Sequence, residues 1–194
     1  MNNHNLMSAL VVDVNDPDGL GRVLITLPAL PEGPELWARV VTPLGGEDRG
    51  LCLLPEIGDE VLVAFTTGDL TGAYLLGGLW GKQKLPPEGL GGEENNLKIL
   101  RTRSGHTLTF DDTDGEEKIT LIDKNENTIE ILTKDDQITI KAKSKIEVKT
   151  DGDLILSGKT IKLEADTIEG KADSSLSLDG GGTAELKAGT VNIN

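Results

Sequence analysis

The sequence predicts an all-β chain with two parts: a small closed barrel, then a long needle whose walls come from three copies of the chain. Three observations predict this. The first half is a series of short apolar strands separated by turn residues. The second half repeats an apolar-x-apolar pair at a nearly even step. No helix start signal is followed by a 3.6-residue apolar period.

In the first half, Ala9–Val14 reads as a strand and Asn15–Gly19 (NDPDG) as a turn. Arg22–Leu27 alternates sides, and Pro28–Pro34 is a proline-punctuated loop. Leu36–Val41, Gly50–Leu53, Glu60–Thr66 and Ala73–Leu79 read as further strands. Evenly spaced short strands with no amphipathic helix point to a barrel. Lys82–Asn96 (KQKLPPEGLGGEENN) is polar and rich in Gly and Pro, so it reads as a linker. The expected divisions are 1–81 for the barrel, 82–97 for the linker and 98–194 for the needle.

The needle carries the strongest signal. Leu108/Phe110, Ile119/Leu121, Ile129/Ile131, Ile138/Ile140, Ile146/Val148, Leu154/Leu156, Ile161/Leu163, Leu176/Leu178, Ala184/Leu186 and Val191/Ile193 recur along it, with Ile168/Gly170 filling one gap. From Ile129 the pairs step by seven to nine residues. Between Ile138 and Thr150 the alternation is unbroken, which is the period of a strand with one dry face. A step near eight is one strand and a corner. That is too short for a single chain to circle a core before stacking on itself. Three chains supplying one wall each would close a prism with the aliphatic pairs on its axis, each contributing roughly 1.5–3 kcal/mol. After Phe110 there is no aromatic residue at all, as suits so thin a core. A flat or sandwich β domain would explain the alternation but not the even step.

Composition narrows the function. The net charge of −14 over 194 residues opposes grasping a phosphate backbone. One cysteine excludes an intrachain disulfide and a Cys-rich metal site. The apolar runs are too short to span a bilayer as a helix, and Met1–Met7 lacks a signal-peptide pattern. Synthesis in the cytoplasm is therefore expected.

The smaller motifs read as turns and packing residues. Asp13–Gly19 (DVNDPDG) fails as a calcium loop: Gly falls one place late, Pro17 occupies a ligand position and no bidentate Glu follows. Asp111–Gly115 reads as an Asp-Gly hairpin. Ser104-Gly105-His106 lacks a nucleophile elbow and reads as a turn. Cys52 is expected to pack inside an apolar strand. Trp37 and Trp80 are expected in the barrel core or an interface. Arg22, Arg39 and Arg49 are the main barrel cations, read either as interface residues or as surface salt bridges. Lys141, Lys143, Lys145 and Lys149 read as a solvated face balanced by acids of neighbouring chains.

Together these residues resemble the spike proteins of contractile injection systems: phage baseplate assembly protein V and the C-terminal part of VgrG. The resemblance rests on Asp16-Pro17 with Gly21-Arg22-Val23, Trp37-Ala38-Arg39-Val40, and Pro55-Glu56-Ile57-Gly58-Asp59-Glu60-Val61-Leu62-Val63. Phe65, Gly68-Asp69 and Leu76-Gly77 complete the barrel pattern, and Arg101–Asp112 resembles the entry to the family's needle. It implies an OB-fold barrel followed by a triple-stranded intertwined β-helix, assembled as a homotrimer. Its β-helix core would be Ile129, Ile131, Ile138, Ile140, Ile146, Val148, Leu154, Leu156, Ile161, Leu163, Leu176, Leu178, Val191 and Ile193.

The implied function is structural. The chain would be the membrane-piercing central spike of a phage tail, an extracellular tail-like particle or a secretion apparatus, with neither enzyme activity nor a cofactor. The resemblance also implies a separate baseplate hub protein, docked at Arg22, Trp37, Arg39 and Arg49, residues that serve alternatively at the trimer interface. A PAAR-type tip protein would dock at Thr190, Val191, Asn192, Ile193 and Asn194. Wedge proteins or effectors are further partners, contact with the target membrane is transient, and nucleic acid is not a partner. With His4 and His106 the only histidines, no His-x-His iron apex is expected. The competing readings are an OB-fold binding module for glycan or single-stranded nucleic acid, and a β-helix cell-wall hydrolase.

Overall fold

A computed structural model describes residues 6–66, 70 and 72–192. Two compact units divide the chain at Ser144/Lys145.

Five strands of the first unit close a barrel: β1 (Leu6–Asp13), β2 (Val23–Thr26), β3 (Glu35–Val40), β6 (Glu60–Phe65) and β7 (Ala73–Gly78). Around the barrel the order is β1-β2-β3-β7-β6. All contacts are antiparallel except β3 with β7, which is parallel, with Arg39 opposite Tyr74. Five strands in this non-sequential order make the Greek-key closure of an OB barrel.

Alternation fills the barrel. Ala9 and Val11 on β1, Val23 and Ile25 on β2, Ala38 on β3, Val61, Val63 and Phe65 on β6, and Ala73 and Leu75 on β7 point inward and are buried. Leu27, just past β2, joins them. Among the described residues no polar or charged side chain is buried with this core. The small bore explains the choice of Val, Ile and Ala with a single Phe.

Between β3 and β6 the expected strand Gly50–Leu53 is not formed. A two-residue ladder, β4 (Gly45–Gly46) with β5 (Arg49–Gly50), stands in its place, and residues 51–56 have no strand partner. Cys52 is consequently exposed rather than packed. Trp80, 68% exposed, is not part of the core either.

The remaining strands of the first unit are β8 (Leu97–Arg101), β9 (Thr107–Asp111), β10 (Lys118–Ile122), β11 (Thr128–Leu132) and β12 (Gln137–Lys141). They form one antiparallel meander in chain order. Its turns are capped by side chains. Asp111 accepts from the Thr113 N–H and hydroxyl, with Gly115 at φ +71 in the Asp-Gly turn. Asp123 accepts from the N–H groups of Asn125 and Asn127. Such Asx caps fix the reversal locally. The expected turn at Ser104–His106 is present, closed by Thr102 N–H donating to the His106 carbonyl. Residues 97–141 thus pair within one chain, and the core residues expected at Ile129, Ile131, Ile138 and Ile140 lie on β11 and β12 of this sheet.

The second unit differs in kind. Residues 145–192 form no strand, and every one of them is exposed. Among the described residues its backbone-to-backbone bonds are those of Gly182 and Thr183 N–H to the Gly180 carbonyl. Replacing Ile25, which is 0% exposed, by Ala is expected to cost about 2–5 kcal/mol of barrel stability, read as a lowered denaturation midpoint in Trp fluorescence.

Candidate functional site

Two surfaces present functional side chains. The first is on the barrel. Because successive strand residues point to opposite faces, buried Ala38 puts Trp37 and Arg39 outward, and buried Ala73 and Leu75 put Tyr74 outward. The β1–β2 turn delivers Arg22 just before buried Val23. Arg22 lies over the Trp37 ring and Arg39 over the Tyr74 ring, each 5.6 Å from the centroid. The four line a cleft of about 510 Å³ with Leu20, Val40 and Ala73. Arg22, Trp37 and Arg39 are therefore brought together as a group. Arg49 is not among them: it sits on β5 beside Gly46, at the tip of the β4–β5 ladder. Tyr74 joins through the parallel β3–β7 pairing.

Arg22 is also the anchor of its own turn. The Asp16 carboxylate, 4% exposed, accepts from the N–H groups of Asp18, Leu20 and Arg22 and from the Arg22 guanidinium at 2.7 Å and 3.1 Å. Asp18 adds a second ion pair to Arg22. The Asp-Pro-Asp-Gly turn is thus a clamp holding a guanidinium against Trp37. Its central carboxylate is already committed to protein donors, which agrees with reading it as a turn. Among the described residues no group of three or more His, Cys, Asp or Glu side chains is placed to hold a metal ion.

The second surface is one face of the meander. Cross-strand register aligns Leu108 with Leu121, Ile129 and Ile140, and Phe110 with Ile119, Ile131 and Ile138. Leu100 extends the first row onto β8. Two apolar rows thus cross the sheet with nothing over them: Phe110 is 43% exposed, Leu121 47% and Ile138 67%. The opposite face is mixed: Thr107, Thr109, Thr120, Glu130 and Thr139 share it with Ile99 and Ile122. In the second unit, Ile146, Val148, Leu154, Leu156, Ile161, Leu163, Leu176, Leu178 and Val191 are likewise exposed, each by at least 53%. Of the expected tip residues, Thr190, Val191 and Asn192 are exposed in this unit, whereas Ile193 and Asn194 lie outside the described residues, as do His4, Gly68 and Asp69. Three of the four stripe lysines pair within the chain, not with another copy: Lys143 with Glu126, and Lys145 and Lys149 with Glu147.

Comparison with known proteins bears on the barrel and on the chain as a whole. Residues 7–80 match the family described as the type VI secretion system/phage-baseplate injector OB domain. The chain is 30% identical over 169 residues to the actin cross-linking toxin VgrG1 of Vibrio cholerae serotype O1 (strain ATCC 39541 / Classical Ogawa 395 / O395). That alignment takes in 84% of this chain but only 14% of the relative.

The clamp has a pH signature. The Arg22 guanidinium, with the backbone N–H donors, holds the Asp16 carboxyl well below the usual carboxylate range. Its stabilisation is therefore complete above the ordinary Asp value of about 4 and is lost as the pH falls below it. Asp16→Asn is expected to lower the melting temperature at pH 7. The gap to the parent chain should then narrow progressively in melts run below about pH 4.

Proposed function

We propose that the chain is the structural central spike of a contractile injection machine, working as a homotrimer; the match of residues 7–80 to an injector OB domain and the similarity to a VgrG protein support this. The observation that carries this reading is the uncovered apolar stripe. It begins on the meander at Leu100 and Leu108, and in the second unit apolar pairs recur at a shorter step to Val191. Burying each such side chain is worth roughly 1.5–3 kcal/mol, and leaving a contiguous face wet is the mark of an interaction surface. Residues 145–192 also lack ladder partners, so they require other strands. Three copies with stripes inward would satisfy both needs. They would give a triple-stranded β-helix at 98–194, with residues 82–97 linking it to the barrel at 1–81.

In this reading the spike acts mechanically. It is carried on a baseplate hub, capped by a PAAR-type tip at Thr190–Asn194, and pushed through the target membrane. The barrel group of Arg22, Trp37, Arg39 and Tyr74 is the hub-docking surface. Trp, Tyr and Arg are the side chains that carry most protein–protein binding energy. The guanidinium groups over both rings favour protein docking over base stacking, which needs free aromatic faces.

Light scattering at micromolar concentration is expected to give three times the chain mass, and Ile119→Lys with Ile131→Lys to give a monomer. A monomeric parent chain would overturn the reading. Trp37→Ala with Arg39→Ala is expected to leave the trimer mass unchanged while abolishing retention of the hub in a pull-down. Retained hub would move the docking surface elsewhere.

A further inference from the structure

The stretch between β3 and β6 carries a second uncovered apolar surface, separate from the stripe. Val41, Leu44, Leu51, Leu53, Leu54 and Ile57 are each 46–61% exposed. Leu51-Cys52-Leu53-Leu54 is a run of consecutive exposed apolar residues. A soluble chain tolerates such a run where it serves contact. Nineteen residues without a packed element of their own are also long for a connection inside a compact unit, and such loops are commonly functional.

This stretch has a built shape. The Leu51 N–H donates to the Leu44 carbonyl, and the Thr42 hydroxyl donates to the Leu51 carbonyl at 2.7 Å. At Gly50 a Cβ would sit 2.7 Å from the Leu44 carbonyl oxygen, so only glycine closes the ladder. The result is an arm that holds its leucines out.

We propose that residues 41–57 form a clasp that docks on the barrel of a neighbouring copy of this chain. This deepens the trimer reading and rests on it. Two features point to a copy as the occupant. The base of the arm is fastened to the self-association sheet: Glu56 pairs with Arg103 in the β8–β9 turn at 2.8 Å. A copy covering that sheet's apolar face is thereby held beside the arm. The chain also presents a matching receiver. Leu10, with Pro28 and Ala29, lines a mainly apolar cleft of about 290 Å³ on the barrel, and Leu6 lies exposed on the same strand. Arm and cleft are different surfaces of one chain, so their contact is head-to-tail, and such contacts close into a ring when the rotation fits.

Cys52, the chain's single cysteine, sits on the arm as a native reporter. Its reaction with a chromogenic disulfide reagent is to be timed in the assembled protein and in the monomeric Ile119→Lys/Ile131→Lys variant. The expected result is reaction about tenfold slower in the assembly, since thiol reactivity follows access. Leu53→Asp with Leu54→Asp, and separately Leu10→Asp, should restore the fast rate while light scattering still gives a trimer. A trimer whose Cys52 reacts as fast as in the monomer overturns the clasp and leaves the trimer standing. So does protection that survives these variants, or that arises only when a hub protein is added. A parent chain that is monomeric throughout removes both readings.

Discussion

An apolar row on one face of a β-strand has to be kept dry, and the three regions of this chain meet that demand to different degrees. In the barrel the strands curve round until the last pairs with the first, so Ile25, Val61 and Val63 dry one another. In the meander the strands satisfy each other's backbone but not each other's side chains: the ladder is complete while the Leu108–Ile140 row stays wet. Over residues 145–192 neither need is met within one chain. Self-sufficiency thus falls along the sequence: backbone and side chains are both satisfied in the barrel, the backbone alone in the meander.

The same constraint explains the composition. The barrel interior accepts Phe65 because five strands leave it enough bore. Beyond Phe110 the paired apolar positions hold no aromatic side chain. Charge goes where water remains. The turns carry Asp111 and Asp123 as caps, and the lysines after β12 are answered by Glu126 and Glu147 nearby. Acidic residues therefore serve both as coat and as turn locks.

Much of this was legible in the sequence, because strand period and turn chemistry are local. The alternation at Val23, Ile25 and Leu27 and the Asp-Gly turns follow from neighbouring residues. The pairing of β2 with β3, not local pattern, groups Arg22 with Trp37 and leaves Arg49 out, although all three stood out by residue type. Tyr74 did not. It reaches Arg39 through a parallel contact between strands more than thirty residues apart, which no local pattern announces. The Leu51–Leu54 run misled because a continuous apolar stretch reads equally as a buried strand or an exposed arm, and only its pairing with Leu44 decides. In-chain pairing at 97–141 did leave a trace. The steps from Leu108 to Ile119, Ile129 and Ile138 are 11, 10 and 9 residues, enough for a strand plus a reversing turn. Beyond Ile146 they shrink to seven or eight, which leaves no room to turn back.

The meander's connectivity also governs timing. Every one of its pairings joins neighbours in sequence, so it has low contact order and forms quickly, hairpin by hairpin. The barrel must instead wait for Glu60–Phe65 to find Leu6–Asp13 across half a hundred residues. On a ribosome, both precede residues 145–192, which find no ladder partner in the same chain. A nascent chain would therefore present a finished barrel and sheet while that stretch is still unpaired.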